Sequence, residues 1–328
     1  MSSILLRTLI FLSSALAFTA CTDPAAPSTE VASATDSVTT TPDTARPYLP
    51  GLLSTPEHDE GGLHFTPHGE VYFWRRLPGE KQRIYVFRPD QPDVAPKPVS
   101  FSTDRDENAF LTRDGLTAYF GSERPIPGRP NLGNFDMNVW VTTRPDLSSP
   151  WAAPRPLPPS FNAVQGEGEN WPVANTSGVF SLDDSTYYVN TQMPGDTATR
   201  LYRYRRTADN NLVDPERIDG LFADPRYSIG GPALTPDGRY LFFSSYGAPG
   251  GAGGEDLYVS RRRPDGTYAP ARPLTQVNTD HEEAGPYVSP DGQTLYFGKA
   301  YAINPKEWVY DVWNIYSIPI ASLNLEDL

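Results

Sequence analysis

The sequence predicts an all-β protein, a β-propeller of four-stranded blades, and three observations carry that prediction. A turn signature flanked by short apolar strands recurs along the chain. A third short strand follows each of these hairpins, and a proline-containing fourth strand follows most of them. Four-stranded units of roughly 45–65 residues are typical of blades arranged radially around a channel.

The composition agrees with this fold and excludes one class of partner. The chain has 328 residues with 35 Pro, 26 Gly and 12% aromatic residues, which favours short strands and tight turns over helices. The formal net charge is −13. Binding to a phosphate backbone needs a basic surface, so we expect no nucleic-acid partner.

Five hairpins share one turn chemistry. Proline presets the backbone at the second turn position, aspartate tolerates the third, and glycine accepts a positive φ at the end. The five copies are HFTPHGEVYFW (64–74), FLTRDGLTAYFGS (110–122), VFSLDDSTYYVNT (179–191), ALTPDGRYLFFSS (233–245) and YVSPDGQTLYFGK (287–299).

Third and fourth strands complete the repeating unit. The third strands are RIYVFRP (83–89), NVWVTTRP (138–145), RLYRYRR (200–206), DLYVSRR (256–262) and NIYSIPI (314–320). The fourth strands are APKPVSF (95–101), APRPLPP (153–159), DPERIDG (214–220) and APARPLT (269–275). The fifth unit lacks its own fourth strand, and ARPYLPG (45–51) resembles ARPLTQV (271–277). We therefore expect an N-terminal strand to complete the last blade and to close the ring, which removes an exposed sheet edge.

The number of blades depends on residues 165–192. Glu169-Asn-Trp-Pro172 matches Glu283-Ala-Gly-Pro286, which would put Gly178 at the turn. Asp183-Asp184-Ser185 matches Pro-Asp-Gly six residues later. One of the two is an insertion, or the chain holds extra strands. The count favours five blades and leaves six as the alternative.

The repeat resembles the TolB-like, WD-repeat-like β-propeller family over residues 45–320. Its Glu-x-x-Pro, Ser-Pro-Asp-Gly, Leu-Tyr-Phe and Asp-Leu-Tyr elements are clearest in the last two repeats, in 256–258 and 283–297. The resemblance implies a propeller that acts as a binding module. It does not identify a ligand, because function depends on the site and not on the fold.

The first 44 residues predict a signal peptide followed by a flexible tether. Residues 1–20 carry one charge, Arg7, and a short apolar run ending in small residues, as in a signal peptide. AFTAC, which ends at the single cysteine Cys21, resembles a bacterial lipobox and implies lipidation there; an ordinary secretory signal is the alternative. Residues 21–44 are rich in Ser, Thr, Pro and Ala and predict a flexible tether, with the propeller at 45–328.

Acidic residues recur nine positions before the turn glycine. They are Glu60, Asp106 and Glu283, with Glu169 if Gly178 is the turn. Their place at the start of the inner strands predicts a ring at one mouth of the channel. Two interpretations remain open. Each acid accepts hydrogen bonds that hold the blades, or together they bind a cation or ligand.

Two histidines and two tryptophans complete the candidate residues. His58 and His281 occupy equivalent positions in blades that ring closure makes neighbours, and each is flanked by acids. Imidazole with carboxylate suits zinc or a similar divalent metal, so a metal site is one hypothesis and two solvated loop histidines the other. Trp171 and Trp308 fall in predicted loops, where an aromatic ring can stack on a sugar or a peptide.

The sequence contains no familiar catalytic motif: no Gly-x-Ser-x-Gly, His-Glu-x-x-His or phosphate-binding Gly-Lys-Ser/Thr. A non-catalytic, lipid-anchored module of the bacterial cell envelope, at the outer membrane and facing the periplasm or the surface, is therefore favoured. Its expected partner is an envelope protein or polysaccharide, its expected state a monomer, and no cofactor is predicted beyond a possible divalent metal. The alternatives are a glycan hydrolase or lyase that uses the channel carboxylates, and a sensor of a metal or small ligand.

Overall fold

A computed structural model describes residues 44–129, 136–162, 178–180, 183–193, 195–304 and 309–327. The described residues belong to one compact unit. The predicted signal peptide, Cys21 and the tether up to residue 43 lie outside the described residues. Within those residues, no helix has the length and apolar character needed to cross a lipid bilayer.

Five antiparallel four-stranded sheets build a five-bladed propeller, which confirms the predicted fold. In each sheet, strands follow one another in chain order from the centre outward, except where the ring closes. Blade one contains β2 (Asp59–Phe65), β3 (Val71–Arg76), β4 (Arg83–Phe87) and β5 (Lys97–Pro98). Blade two contains β6 (Asp106–Leu111), β7 (Thr117–Ser122), β8 (Asn138–Thr143) and β9 (Arg155–Pro156). Blade three contains β10 (Gly178–Phe180), β11 (Thr186–Thr191), β12 (Arg200–Arg206) and β13 (Leu212–Arg217).

Blade five takes its outer strand from the N-terminus. Blade four contains β14 (Gly230–Leu234), β15 (Tyr240–Tyr246), β16 (Glu255–Arg261) and β17 (Arg272–Pro273). Blade five contains β18 (Glu282–Val288), β19 (Thr294–Ala300), β22 (Asn314–Pro319) and β1 (Arg46–Pro47). Arg46 pairs with Ser317 and Pro47 with Tyr316, antiparallel. The predicted closure is therefore confirmed.

The hairpin turns explain why the repeat reads as it does. The first residue of the turn, Thr or Ser, donates its hydroxyl to the aspartate two residues later: Thr112 to Asp114 and Thr235 to Asp237, both at 2.6 Å. The glycine that follows takes a positive φ, 68° at Gly238, which a side chain would strain. Each inner strand is thus joined to the next by a small, internally bonded turn.

The structure resolves the ambiguity in blade three. Gly178 lies in β10 and pairs with Val189, so it is not a turn residue and the reading that placed a turn there is wrong. The turn lies at 183–185, as the alternative predicted. Asp184, and not Ser185, takes the place of the glycine, with φ of 57°. Asparagine and aspartate are the residues besides glycine that tolerate this region.

One hairpin was not predicted. Strands β20 (Ala302–Asn304) and β21 (Val309–Tyr310) pair with each other between β19 and β22 of blade five. They extend the loop between the second and third strands of this blade. Trp308, predicted to lie in a loop, falls outside the described residues.

The core lies between neighbouring blades. Phe242 and Leu257 of blade four pack in one cluster with Leu295, Phe297 and Ile318 of blade five, and all five are buried. One blade cannot cover its own apolar face, so each depends on the next for burial at about 25 cal/mol per Å² of apolar surface. Ring closure gives every blade a neighbour on both sides.

Candidate functional site

A pocket in the centre of the propeller collects residues from all five blades. The first strands β2, β6, β10, β14 and β18 contact one another around the ring and so form the channel wall. At the end of the channel where these strands turn, a cavity of about 640 Å³ opens. We call it the central pocket. Its lining includes Phe65, Leu111, Leu234, Tyr287 and Pro290.

The equivalent turn positions shape the rim of this pocket. The second residue of the turn is Pro67 in blade one, Arg113 in blade two, Pro236 in blade four and Pro290 in blade five, and all four line the cavity. Blade three contributes Asp183 and Asp184. The repeat that builds the fold therefore also brings one residue of each blade to a common rim, and the differences between blades give that rim its chemistry.

His64 is the most distinctive side chain of the central pocket. Its Nε2 accepts the backbone N–H of Leu111 at 3.2 Å, so the ring proton of the neutral form is on Nδ1. That Nδ1 is buried and has no hydrogen-bond partner within the described residues. The ring packs edge-on against Phe110 and Tyr287, with centroids 5.5 and 5.6 Å away. The Nδ1–H of His64 is therefore a buried hydrogen-bond donor without a partner in the described part of the chain, in a ring that packs against two aromatic side chains.

Burial keeps His64 neutral. Removal from water disfavours the imidazolium and lowers the pKa of His64 to about 4. At neutral pH the side chain therefore offers an N–H donor without a positive charge. Such a group can bind a carbonyl, carboxylate or hydroxyl oxygen of a ligand.

Charged groups at the rim lie mostly in blades two to four. The Asp184 carboxylate accepts the backbone N–H of Arg113 at 2.8 Å and so joins blade three to blade two. Burial raises the pKa of Asp184. Arg262 and Asp237 of blade four also line the pocket. An apolar centre with a polar rim is the usual composition of a binding site.

The predicted acids lie at the opposite ends of the inner strands and are fully buried. Glu60 accepts the Thr55 hydroxyl and the Arg75 Nε, both at 2.9 Å. Burial raises the pKa of Glu60 to about 7, while Arg75 and Thr55 pull it down. These contacts tie the start of β2 to the end of β3.

The other two described acids repeat this arrangement. Asp106 accepts Ser102 at 3.0 Å and Arg124 at 2.9 Å. Glu283 accepts the Thr279 hydroxyl at 2.6 Å and pairs with Lys299 at 3.0 Å. Each acid is therefore bonded to a hydroxyl residue upstream and to a cation at, or just after, the end of the second strand. Their role as ligand-binding groups remains a prediction, and Glu169 and Trp171 lie outside the described residues.

A second group of acids was not selected from the sequence. Glu255 is half-buried between blades four and five, where Ser244 donates to it and Glu282 accepts its backbone N–H. Burial, then the nearby carboxylates, raise the pKa of Glu255 to about 7. Glu255 does not share the repeat offset of Glu60, so only the folded chain brings it beside Glu282.

The two histidines of the metal hypothesis each contact groups of their own surroundings. His58 Nδ1 lies 3.1 Å from the Thr55 hydroxyl and 3.9 Å from Glu60. The His281 ring packs edge-on against Tyr301, 4.4 Å between centroids, and its Nε2 lies 3.4 Å from Asp280. Among the described residues, no three or more His, Cys, Asp and Glu side chains are grouped as a metal site. A metal shared by His58 and His281 remains a prediction.

Comparison with known proteins gives structural likenesses only. No protein family matches the sequence, and no curated protein matches it. TolB proteins are among the solved structures similar to this chain. TolB from Acinetobacter baumannii is 13% identical with a TM-score of 0.46, over 80% of this chain and 54% of TolB, so the similarity spans about half of that protein.

Enzymes of different activities are similar to the same degree. The α-L-arabinofuranosidase PaAbf62A of Podospora anserina is 13% identical with a TM-score of 0.48, over 82% of this chain and 95% of the enzyme. A gluconolactonase of Xanthomonas campestris is 15% identical with a TM-score of 0.44, over 79% and 71%. The resemblance of the repeat to the TolB-like family is confirmed at the level of the fold, a β-propeller. Likenesses of this degree do not distinguish a binding module from an enzyme.

Proposed function

We propose that the chain is a lipid-anchored, non-catalytic binding module of the bacterial cell envelope, and that its central pocket receives part of an envelope protein. The observation that carries the proposal is the convergence of all five blades on one pocket with an unsatisfied buried donor, Nδ1 of His64. An extended peptide segment fits an apolar pocket of this kind, because its side chains fill the centre and its carbonyl oxygens accept hydrogen bonds.

The buried acids support a binding role over glycan chemistry. A glycosidase needs one carboxyl group to act as acid and a second to act as base or nucleophile, both facing the sugar. Glu60, Asp106 and Glu283 have no exposed surface and are paired with Arg75, Arg124 and Lys299. They lie at the far ends of the inner strands from the central pocket.

The anchor and the location rest on the N-terminal sequence. AFTAC followed by a Ser/Thr/Pro-rich stretch is the pattern of a lipidated protein on a flexible tether, and the envelope location follows from it. Such a tether lets the propeller search for a partner near the membrane while it stays attached.

Photo-crosslinking in cells tests this proposal. A photoreactive residue replaces Arg113 or Leu234 at the pocket, or, as a control, Val94 or Tyr301, which are exposed at 56% and 44%. Tyr301 follows β19 and lies at the other end of the strands from the turns. We expect one reproducible envelope protein to crosslink from both pocket positions and from neither control.

Two outcomes would contradict the proposal. Equal crosslinking from all four positions would indicate nonspecific contact. Crosslinking from Tyr301 alone would place the partner on the opposite face. Crosslinking to a polysaccharide from the pocket positions would keep the site and change the partner class.

A further inference from the structure

Four arginines of blade four surround a second cavity beside the central pocket. Arg239, Arg261, Arg262 and Arg263 are exposed and line a space of about 590 Å³ together with Pro264, Gly266 and Ala269. We call these four residues the arginine cradle. Asp237 is the one carboxylate in the lining. With Asp237 as the carboxylate of the lining, the guanidinium groups of Arg239, Arg262 and Arg263 leave a local positive charge on a chain whose net charge is −13.

The backbone holds the arginine cradle in place. The N–H of Arg262 donates to the carbonyl of Arg239 at 2.8 Å, and the N–H of Arg263 donates to Thr267 at 2.7 Å. The Arg263 guanidinium also donates to the carbonyl of Tyr268 at 2.9 Å. Gly266, with φ of 84°, completes the tight turn that follows. Arginines on a fixed backbone lose less conformational entropy when a ligand binds.

Neighbouring acids neutralise the arginine cradle only in part. Arg239 lies 3.9 Å from Asp237, beyond hydrogen-bond distance, and also packs over the ring of Tyr240 at 5.4 Å. Thr235 and the backbone N–H of Arg239 bind Asp237 and lower its pKa, so it stays charged. Within the described ranges, neither Arg262 nor Arg263 has a carboxylate oxygen within 4.0 Å, although Asp265, whose pKa is lowered by Thr267 and then by Arg263, lies near Arg263.

We propose that the arginine cradle is a binding site for a ligand with a phosphate group that carries more than one negative charge. Guanidinium groups match phosphate oxygens in pairs of parallel hydrogen bonds, and a tetrahedral dianion can accept from several forks at once. A ligand with a single carboxylate group would neutralise less of the positive charge of the arginine cradle. This proposal does not depend on the peptide proposed for the central pocket. Arg262 and Asp237 nevertheless line both cavities.

Two sources could supply such a group, a soluble phosphate compound or the headgroup of an anionic lipid. The full chain in a non-ionic detergent is titrated by calorimetry with inorganic pyrophosphate and, separately, with short-chain phosphatidic acid. We expect saturable binding that weakens as salt is added, because screening reduces the attraction. Binding of both probes identifies the phosphate group itself as the ligand, and binding of the lipid alone identifies a headgroup site.

Paired variants assign the binding to the arginine cradle. Arg262→Gln with Arg263→Gln should weaken binding at least about tenfold, which is ~1.4 kcal/mol. Arg205→Gln with Arg226→Gln is the matched control, because both residues are exposed arginines elsewhere, paired with Asp214 and Asp224. We expect the control to bind as the wild type does.

Arg239→Gln tests the site again if the double variant does not fold, since this side chain is 49% exposed. The far-UV circular dichroism and the urea midpoint of each variant show whether it is folded. The proposal is overturned if neither probe binds at millimolar concentration, or if folded cradle variants bind as tightly as the control.

Discussion

At the scale of single residues, the acidic repeat has a structural explanation. Glu60, Asp106 and Glu283 fall at the same offset because each fixes the start of its inner strand against the end of the second strand of the same blade. The offset was visible in the sequence. The cationic partners could not be identified from the sequence, because they lie about fifteen residues downstream of the acids. Strand pairing alone brings Arg75 beside Glu60 and Lys299 beside Glu283.

Removal of Arg75 should destabilise the protein in a pH-dependent way. Burial raises the folded-state pKa of Glu60 to about 7. The stability that this group contributes is therefore present below its unfolded pKa, near 4.5, and is lost as the pH rises through 7. In Arg75→Met the charged form of Glu60 loses its counter-ion, so the cost is small at pH 5 and about 3 kcal/mol or more at pH 8.

Urea unfolding of the wild type and Arg75→Met across this range measures the effect. Glu60→Gln with Arg75→Met is the control, because without the carboxylate the cost of losing Arg75 should change little with pH. A cost that is the same at pH 5 and pH 8 in the single variant would contradict this explanation.

At the same scale, His64 is a pocket residue that could not be selected from the sequence. His58 and His281 were selected because they match each other in the repeat, and His64 was not. The contact that makes His64 distinctive is with Leu111, 47 residues away in the next blade. No spacing within one repeat encodes a contact between the inner strands of two blades.

At the scale of elements, the closure of the ring by β1 is the feature that the sequence predicted most directly. The likeness of 45–51 to 271–277 indicated that the N-terminal strand replaces a missing fourth strand, and β1 does so. The hydroxyl of Ser54 donates to the carbonyl of Ile315 at 2.7 Å, and Leu53 is fully buried. The insertion that holds β20 and β21 has no counterpart among the described residues of the other blades, so the repeat could not predict it.

Truncation of Leu53 should weaken ring closure. This side chain packs in the cluster that contains Phe73 of blade one and Tyr296 and Ile315 of blade five. Leu53→Ala leaves a cavity between these blades and should cost about 2–5 kcal/mol of unfolding free energy. Val94→Ala, at a residue 56% exposed, should cost less than about 0.5 kcal/mol.

Chemical denaturation of both variants distinguishes the two cases. Equal midpoints for Leu53→Ala and Val94→Ala would mean that the seam between blades one and five contributes little to the stability of the folded ring.

At the scale of the whole molecule, the repeat produces both the core and the binding surface. Five similar hairpins give five similar turns, and closure brings these turns to the rim of one pocket. The fold could be predicted because the repeat is encoded locally. The pocket could not, because its shape depends on which residue each blade supplies at an equivalent position, such as Arg113 in one blade and Pro290 in another.

The measurement that tests the central claim most directly is a quantitative pull-down of the lipidated full chain from cells after in-cell crosslinking. Wild type is compared with Leu234→Trp, which fills the central pocket, and with Val94→Trp, which adds the same ring on an exposed loop. We expect one envelope protein to be enriched with the wild type and Val94→Trp and reduced about tenfold with Leu234→Trp. Equal recovery with all three proteins, or no enriched protein with any, would contradict the claim that the central pocket binds an envelope partner.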